Sequence, residues 1–180
     1  MNEKSIMGAA VASAMSMIGG VKEDALSPCF RYQIECVGAD GQVKWSEDIS
    51  NLVTTAGKTD LIDKYFKGSG YTAAWYLGLK GAGTVAVGDT AASHAGWTET
   101  NPYTGNRPAI TFGTTAAGSN TATAVSFAIT LAGPTTVAGA FVASVNTGTT
   151  GILYSAADFG TSRSVIAGDT LNVTLTVSAT

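Results

Sequence analysis

The chain is poor in the side chains that do chemistry near neutral pH. Among 180 residues there is one histidine, His94, and two cysteines, Cys29 and Cys36. With so few donors at no ligand spacing, a structural zinc site has no residues to build on. The ten Lys and Arg are scattered, the net charge is -3 and the pI is near 5.0, which speaks against a partner held through its phosphates. Charged residues make up 13% of the chain, against about 25% in an ordinary one. The shortage is uneven. The 72 residues from Ala109 to Thr180 carry three charges, Asp158, Arg163 and Asp169, while Thr, Ala, Gly and Ser fill 45 of those positions. No apolar run is long enough to span a bilayer.

What remains is a pattern of short alternating runs. In the stretch Thr170 to Ser178, apolar residues recur at every second position, the period of a strand with one buried face. Twenty-two glycines and few prolines fit many strands joined by tight turns. The length suits one well-cored domain plus an arm. The reading is an all-β fold, a jelly roll or β-sandwich with one short α-helix at about 55–67, in a single domain over 27–180. Residues 1–26 form an N-terminal arm. That arm is apolar but weak in large side chains, with one lysine beside Glu3, a poor match to a signal peptide. It is expected to become ordered against a neighbouring subunit, through Ile6, Met7, Val11, Met15 and Ile18.

Phe30, Tyr32, Ile34 and Cys36 lie on one face of the first strand, and Ala39-Asp40-Gly41 turns the chain into a returning strand through Gln42-Val43-Lys44-Trp45. Asp-Gly between alternating runs is a hairpin signal, because glycine accepts the positive φ of the turn. On that strand Cys29 and Cys36 fall on opposite faces about 23 Å apart at ~3.3 Å per residue. A disulfide needs Cα atoms within about 7 Å, so both are expected as free thiols in a protein assembled inside the cell. The helix is expected to bury Leu61, Ile62, Tyr65 and Phe66, with Lys64 and Lys67 near its end and Gly68 as its stop. Beyond it, Tyr71, Ala73, Trp75, Leu77 and Leu79 alternate along one face. Residues 80–108 are expected as a long irregular loop, the usual mark of a contact segment. Further strands are expected at 109–112, 122–131, 137–145, 152–154, 164–166 and 171–178.

No constellation for catalysis emerges. Ser93, His94 and Asp89 are near neighbours, whereas a triad draws its members from places that fix their geometry. Glu47-Asp48 and the pair Asp60/Asp63 read as solvated surface, not as carboxylates facing across a cleft. Gly81-Ala82-Gly83 and Gly88-Asp89-Thr90 match no phosphate cradle. Asp89 and Asp169, each in Gly-Asp-Thr, are expected to cap turns; one carboxylate falls short of a Ca²⁺ shell. Trp45, Trp75, Trp97, Tyr71, Tyr76 and Tyr103 suit packing and subunit contact better than sugar stacking. The expectation is a non-enzyme with no cofactor and no metal, meeting partners through the arm and through His94, Trp97, Tyr103 and Arg107.

Several blocks resemble a known group. Tyr32-Gln33-Ile34-Glu35-Cys36, Asp40-Gly41, Val43-Lys44-Trp45, the run Asn51 to Gly57 and Leu61-Ile62-Asp63 make up the first; Trp75 to Leu79, Gly88-Asp89-Thr90, Ser93 to Glu99 and Arg107-Pro108-Ala109 the second; Phe159 to Leu171 the third. Together they resemble small virion structural proteins of tailed bacteriophages over about Tyr32 to Val177. The resemblance implies a capsid decoration (cement) protein of jelly-roll type, with a tail or fibre component that binds a receptor as the alternative. It implies the major capsid protein or other virion proteins as partners, a homo-oligomer, no nucleic acid and no membrane, and a place in the virion after assembly in the host bacterial cytoplasm. It supplies no catalytic residues.

Overall fold

Strand β1 (Pro28–Val37) carries the expected alternation: Phe30, Tyr32, Ile34 and Cys36 point into the core while Arg31, Gln33 and Glu35 face out. The computed structural model describes residues 28–71 and 73–179; Ile6, Met7, Val11, Met15 and Ile18 lie outside the described residues. The turn after β1 closes through Gly38, whose N–H reaches Gln42 O at 2.8 Å, and through Gly41 at φ 78°. It returns the chain as β2 (Val43–Ser50), with a bulge at Cys36/Val37.

The described residues form a β-sandwich of two antiparallel sheets, each of five strands. In the first, β10 (Thr170–Ala179) pairs with β1 on one side. On its other side it pairs with two short strands in tandem, β6 (Ser119–Thr121) and β7 (Val125–Ala128). The second sheet runs β3 (Leu52–Val53), β9 (Leu153–Val165), β8 (Thr135–Ala143), β4 (Tyr76–Gly83), β5 (Trp97–Glu99). Between them lies the main core, with Tyr32, Ile34, Phe127, Leu171, Val173 and Leu175 facing Leu77, Leu79, Val142 and Ala157. A polar tie crosses it. Tyr32 Oη and Ser155 Oγ, both fully buried, are 2.6 Å apart, and burial pushes the phenol pKa upward. A buried hydroxyl without a partner would lose more than this bond returns, so the tie also sets how the sheets face each other.

The second sheet is covered on its outer face as well, and β8 is buried at every residue from Val137 to Ala143. Ala91 and Trp97 pack there against Phe141, Ala143, Leu153 and Ala156 in a smaller core. The expected loop over 80–108 is therefore partly sheet and partly cover: β4 continues to Gly83, and β5 returns beside it. The Phe141 ring lies where a Cβ on Gly78 would sit, 2.2 Å from its Cζ, so only glycine fits opposite that ring.

Other boundaries differ from expectation for similar reasons. The expected strand at 109–112 reduces to bridges at Tyr76↔Ala109 and Phe112↔Ala122. Those at 152–154 and 164–166 merge into the single β9, because β8 pairs with it from Thr135↔Val165 to Ala143↔Leu153. Leu77 and Leu79 are buried as expected, whereas Tyr71 is exposed and precedes the strand.

Helix α1 (Thr55–Tyr65) starts where the sequence places it but turns a different face inward. Thr54 caps it, accepting from Gly57 N at 3.0 Å while its own hydroxyl donates to Leu153 O at 2.5 Å. Gly57 then packs on β9, where a Cβ would meet Tyr154 O at 2.5 Å. That contact fixes the helix rotation. Asp60 turns inward and is buried, correcting its assignment to a solvated face, while Ile62, Tyr65 and Phe66 turn out and are exposed, correcting the expected core stripe. Past the helix Gly68 takes φ 71°, the left-handed stop the sequence predicts.

Candidate functional site: an aromatic groove beside the helix

With Gly57 against β9, the C-terminal half of α1 stands off the sandwich and leaves an apolar groove of about 470 Å³. Phe30, Leu61, Tyr65, Tyr71, Trp75, Phe112, Tyr154 and Val177 line it. An adjoining hollow of about 410 Å³ shares Leu61, Tyr65, Tyr154 and Val177 and adds Pro28, Phe66 and Ala179. Each is within the range of ligand-sized clefts. The floor is a ring stack: Tyr154 lies 5.3 Å from Phe30 and 5.0 Å from Trp75, the latter edge-on at 78°. Trp75 Nε1 donates to Tyr71 Oη at 2.8 Å, which holds both rings at the rim.

The groove is weakly polar. Asp60 and Lys64 border it, and Lys64 Nζ is committed to Gly70 O at 2.8 Å. Burial, then the nearby Asp60 carboxylate and Tyr71, push the Tyr154 phenol up to about 12, so it stays neutral at physiological pH. Around the mouth Tyr65, Phe66 and Tyr71 are all exposed, Tyr65 at 79% and Phe66 at 68%. Tyr65 and Phe66 pack edge to face with centroids 4.9 Å apart. Such a surface can take apolar or aromatic groups from a partner; it offers no nucleophile paired with a base.

The described contact residues expected from the sequence are used internally. Trp97 is 4% exposed, stacks on His94 at 4.1 Å and 23°, and donates Nε1–H to Asp89 Oδ2 at 2.8 Å. His94 Nδ1 lies 3.0 Å from Trp97 O, so His94 and Trp97 pin the loop to its own sheet. Arg107 is buried, forked onto Glu99 at 2.7 and 2.6 Å, with further bonds to Val145 O and Gly148 O, above the Phe141 ring. Tyr103 is half-buried against Phe127, and burial followed by the Glu99 charge pushes its pKa up to about 12. Trp97 and Arg107 are thus corrected from outward contacts to internal struts. They sit inward because Phe141, over Gly78, gives them a ring to cover.

The Ser93, His94 and Asp89 group is not assembled as a triad, since Trp97 stands between His94 and Asp89 as partner to both. Asp89 and Asp169 do cap turns, and identically: each Oδ2 accepts the amide three residues earlier, Ala86 at 2.8 Å and Ile166 at 3.1 Å. Glu47 pairs with Arg163 and Asp48 with Arg31. Among the described residues no group of three or more His, Cys, Asp or Glu could hold a metal ion, and no helix is long and apolar enough to cross a membrane.

Sequence reasoning misses the groove because it assigns Ile62, Tyr65 and Phe66 to the core. Gly57 carries the available signal. A glycine in the first helical turn marks the side of close backbone approach, and a stripe centred away from it faces elsewhere. A scan against protein-family models finds no match to this chain, and a search of curated proteins finds none either.

Proposed function

We propose that this chain is a structural subunit of a bacteriophage virion, acting as a capsid decoration (cement) protein that strengthens the head shell through contact with the major capsid protein and with its own copies. The observation that carries the contact role is the cluster of Tyr65, Phe66 and Tyr71 exposed around the apolar groove and its adjoining hollow. Contiguous exposed apolar surface of this kind marks a protein contact, and Tyr is among the residues that concentrate binding energy. The virion setting rests on the resemblance of the sequence blocks given above. A specific contact buries about 1,200–2,000 Å², and repetition over a shell adds avidity.

The test is quantitative mass spectrometry of purified particles, followed by removal of the protein. A cement protein is expected at shell-lattice stoichiometry, and its loss should lower the temperature at which particles release their genome. A few copies per particle would favour a tail or fibre component. Particles that assemble without the protein and keep full heat resistance would sink the cement reading.

A further inference from the structure

We propose that the groove beside α1 receives an arginine side chain from a partner protein, its guanidinium lying among Tyr71, Trp75 and Tyr154 and meeting the Asp60 carboxylate. This names the chemistry of the contact proposed above and rests on the groove being a protein contact. Asp60 carries the proposal. It is only 8% exposed, yet among the described residues it joins no ion pair and its carboxylate accepts no side-chain hydrogen bond. Lys64, one turn along the helix, bonds Gly70 O instead, and Tyr71 Oη accepts from Trp75. A buried carboxylate without a counter-charge is costly, and a cation arriving from outside offsets that cost. Such a group has a way in, because Asp60 lines both the aromatic groove and a smaller recess of about 230 Å³ shared with Tyr71, Trp75 and Ser144.

The surroundings of Asp60 suit a guanidinium. Ring faces attract cations held within about 6 Å, and Tyr71, Trp75 and Tyr154 all border the same groove as the carboxylate. Asp60 is near enough to Tyr154 that its charge, after burial, helps to raise the phenol pKa. A guanidinium is planar, weakly hydrated and forked, so it can stack on a ring while donating to a carboxylate. Its aliphatic stem would cover apolar lining such as Leu61 and Val177. A lysine ammonium, compact and strongly hydrated, makes poorer use of the rings. The occupant comes from a different protein and not from a second copy of this chain. All three arginines of the chain are already ion-paired, Arg31 to Asp48, Arg107 to Glu99 and Arg163 to Glu47.

A titration of the full chain with N-acetylarginine amide tests the proposal, read by NMR from the tryptophan indole N–H resonances. N-acetylcitrulline amide, nearly the same shape but neutral, is the control. The Trp75 resonance should shift saturably with the arginine amide, and the citrulline amide should bind at least about tenfold more weakly, the selectivity expected of hydrogen bonds to a charged group. Asp60→Asn should erase that difference, with the Trp45 and Trp97 resonances unchanged as evidence that the sandwich is intact. Equal responses to the two amides, a Trp75 resonance that does not move, or undiminished arginine binding by the folded Asp60→Asn variant would overturn the proposal. The titration needs no particle, so its failure is separate from that of the cement reading. Arginine selectivity in a protein present at a few copies per particle would support the site and remove only the cement reading.

Discussion

Lys80 Nζ lies 2.6 Å from Asp158 Oδ1, reached from β4 to β9 across the intervening strand β8. The lysine is completely buried and Asp158 is 34% exposed. Its stem passes over Gly139, where a Cβ would stand 2.7 Å from Lys80 Cδ and 2.0 Å from Ala157 O. The ammonium also donates to Gly83 O at 2.7 Å and Gly81 O at 3.2 Å, so two backbone carbonyls and the Asp158 carboxylate together hold it in place. Asp158 Oδ2 in turn accepts from Val85 N at 3.1 Å and fastens the start of the covering loop.

Three substitutions probe that crossing. Gly139→Ala forces the lysine stem and the β9 backbone apart and should cost about 3 kcal/mol, at the upper end for overpacking. Lys80→Ala leaves Asp158 without its counter-charge and should cost about 3 kcal/mol, the low end for a broken buried pair because Asp158 retains solvent contact. Lys80→Met keeps the stem and should lose less. Urea unfolding followed by Trp fluorescence ranks the three.

Asp89→Ala removes the acceptor shared by Trp97 Nε1 and Ala86 N. Two donors lose a charged partner, so about 2–4 kcal/mol should be lost from the loop that covers β8. Limited proteolysis should then cut between Gly83 and Trp97 while the hairpin β1–β2 stays intact. A cleavage pattern identical to the native one would mean that the ring contacts of Trp97 suffice.

Acid should weaken the Asp169 turn. Burial opposes ionisation of Asp169, yet the Lys44 ammonium at 2.8 Å and the Ile166 amide hold its carboxyl below the ordinary value of 3.8. A depressed folded-state pKa gives stability that is present above the unfolded value and lost as pH falls through the folded one. Asp169→Asn should therefore flatten the stability profile below about pH 4. Denaturant midpoints measured across that window for both proteins check it.

The two thiols should behave differently. Burial, with the Asp169 carboxylate close by, pushes Cys36 up to about 11, while Cys29 is half-buried on the opposite face of β1. Iodoacetamide should label Cys29 alone in the native protein and both residues after unfolding. At high pH the sign reverses relative to Asp169: the neutral Cys36 thiol adds stability that is complete below the unfolded value of 9.0 and disappears as pH rises toward 11.

The hairpin of β1 and β2 is legible in the sequence because its determinants are local: alternation sets the face, and Asp40-Gly41 sets the turn. The caps at Asp89 and Asp169 are equally local, each bonding an amide three residues away. The groove is not. Its lining draws on β1, α1, Trp75, Phe112 and Tyr154, and its mouth exists because Gly57 meets a carbonyl of β9 that sequence spacing cannot place.

By itself the sequence determined that this chain builds sheets of alternating strands with free thiols on opposite faces, since side-chain period and turn chemistry act within a few residues. Tertiary structure alone decided which way α1 rolls, that Lys80 is buried, and that Arg107 turns inward over Phe141 rather than reaching outward. Each of those outcomes depends on a contact between distant segments, Gly57 with Tyr154, Lys80 with Asp158 over Gly139, and Phe141 over Gly78, where a single Cβ more or less changes what can pack.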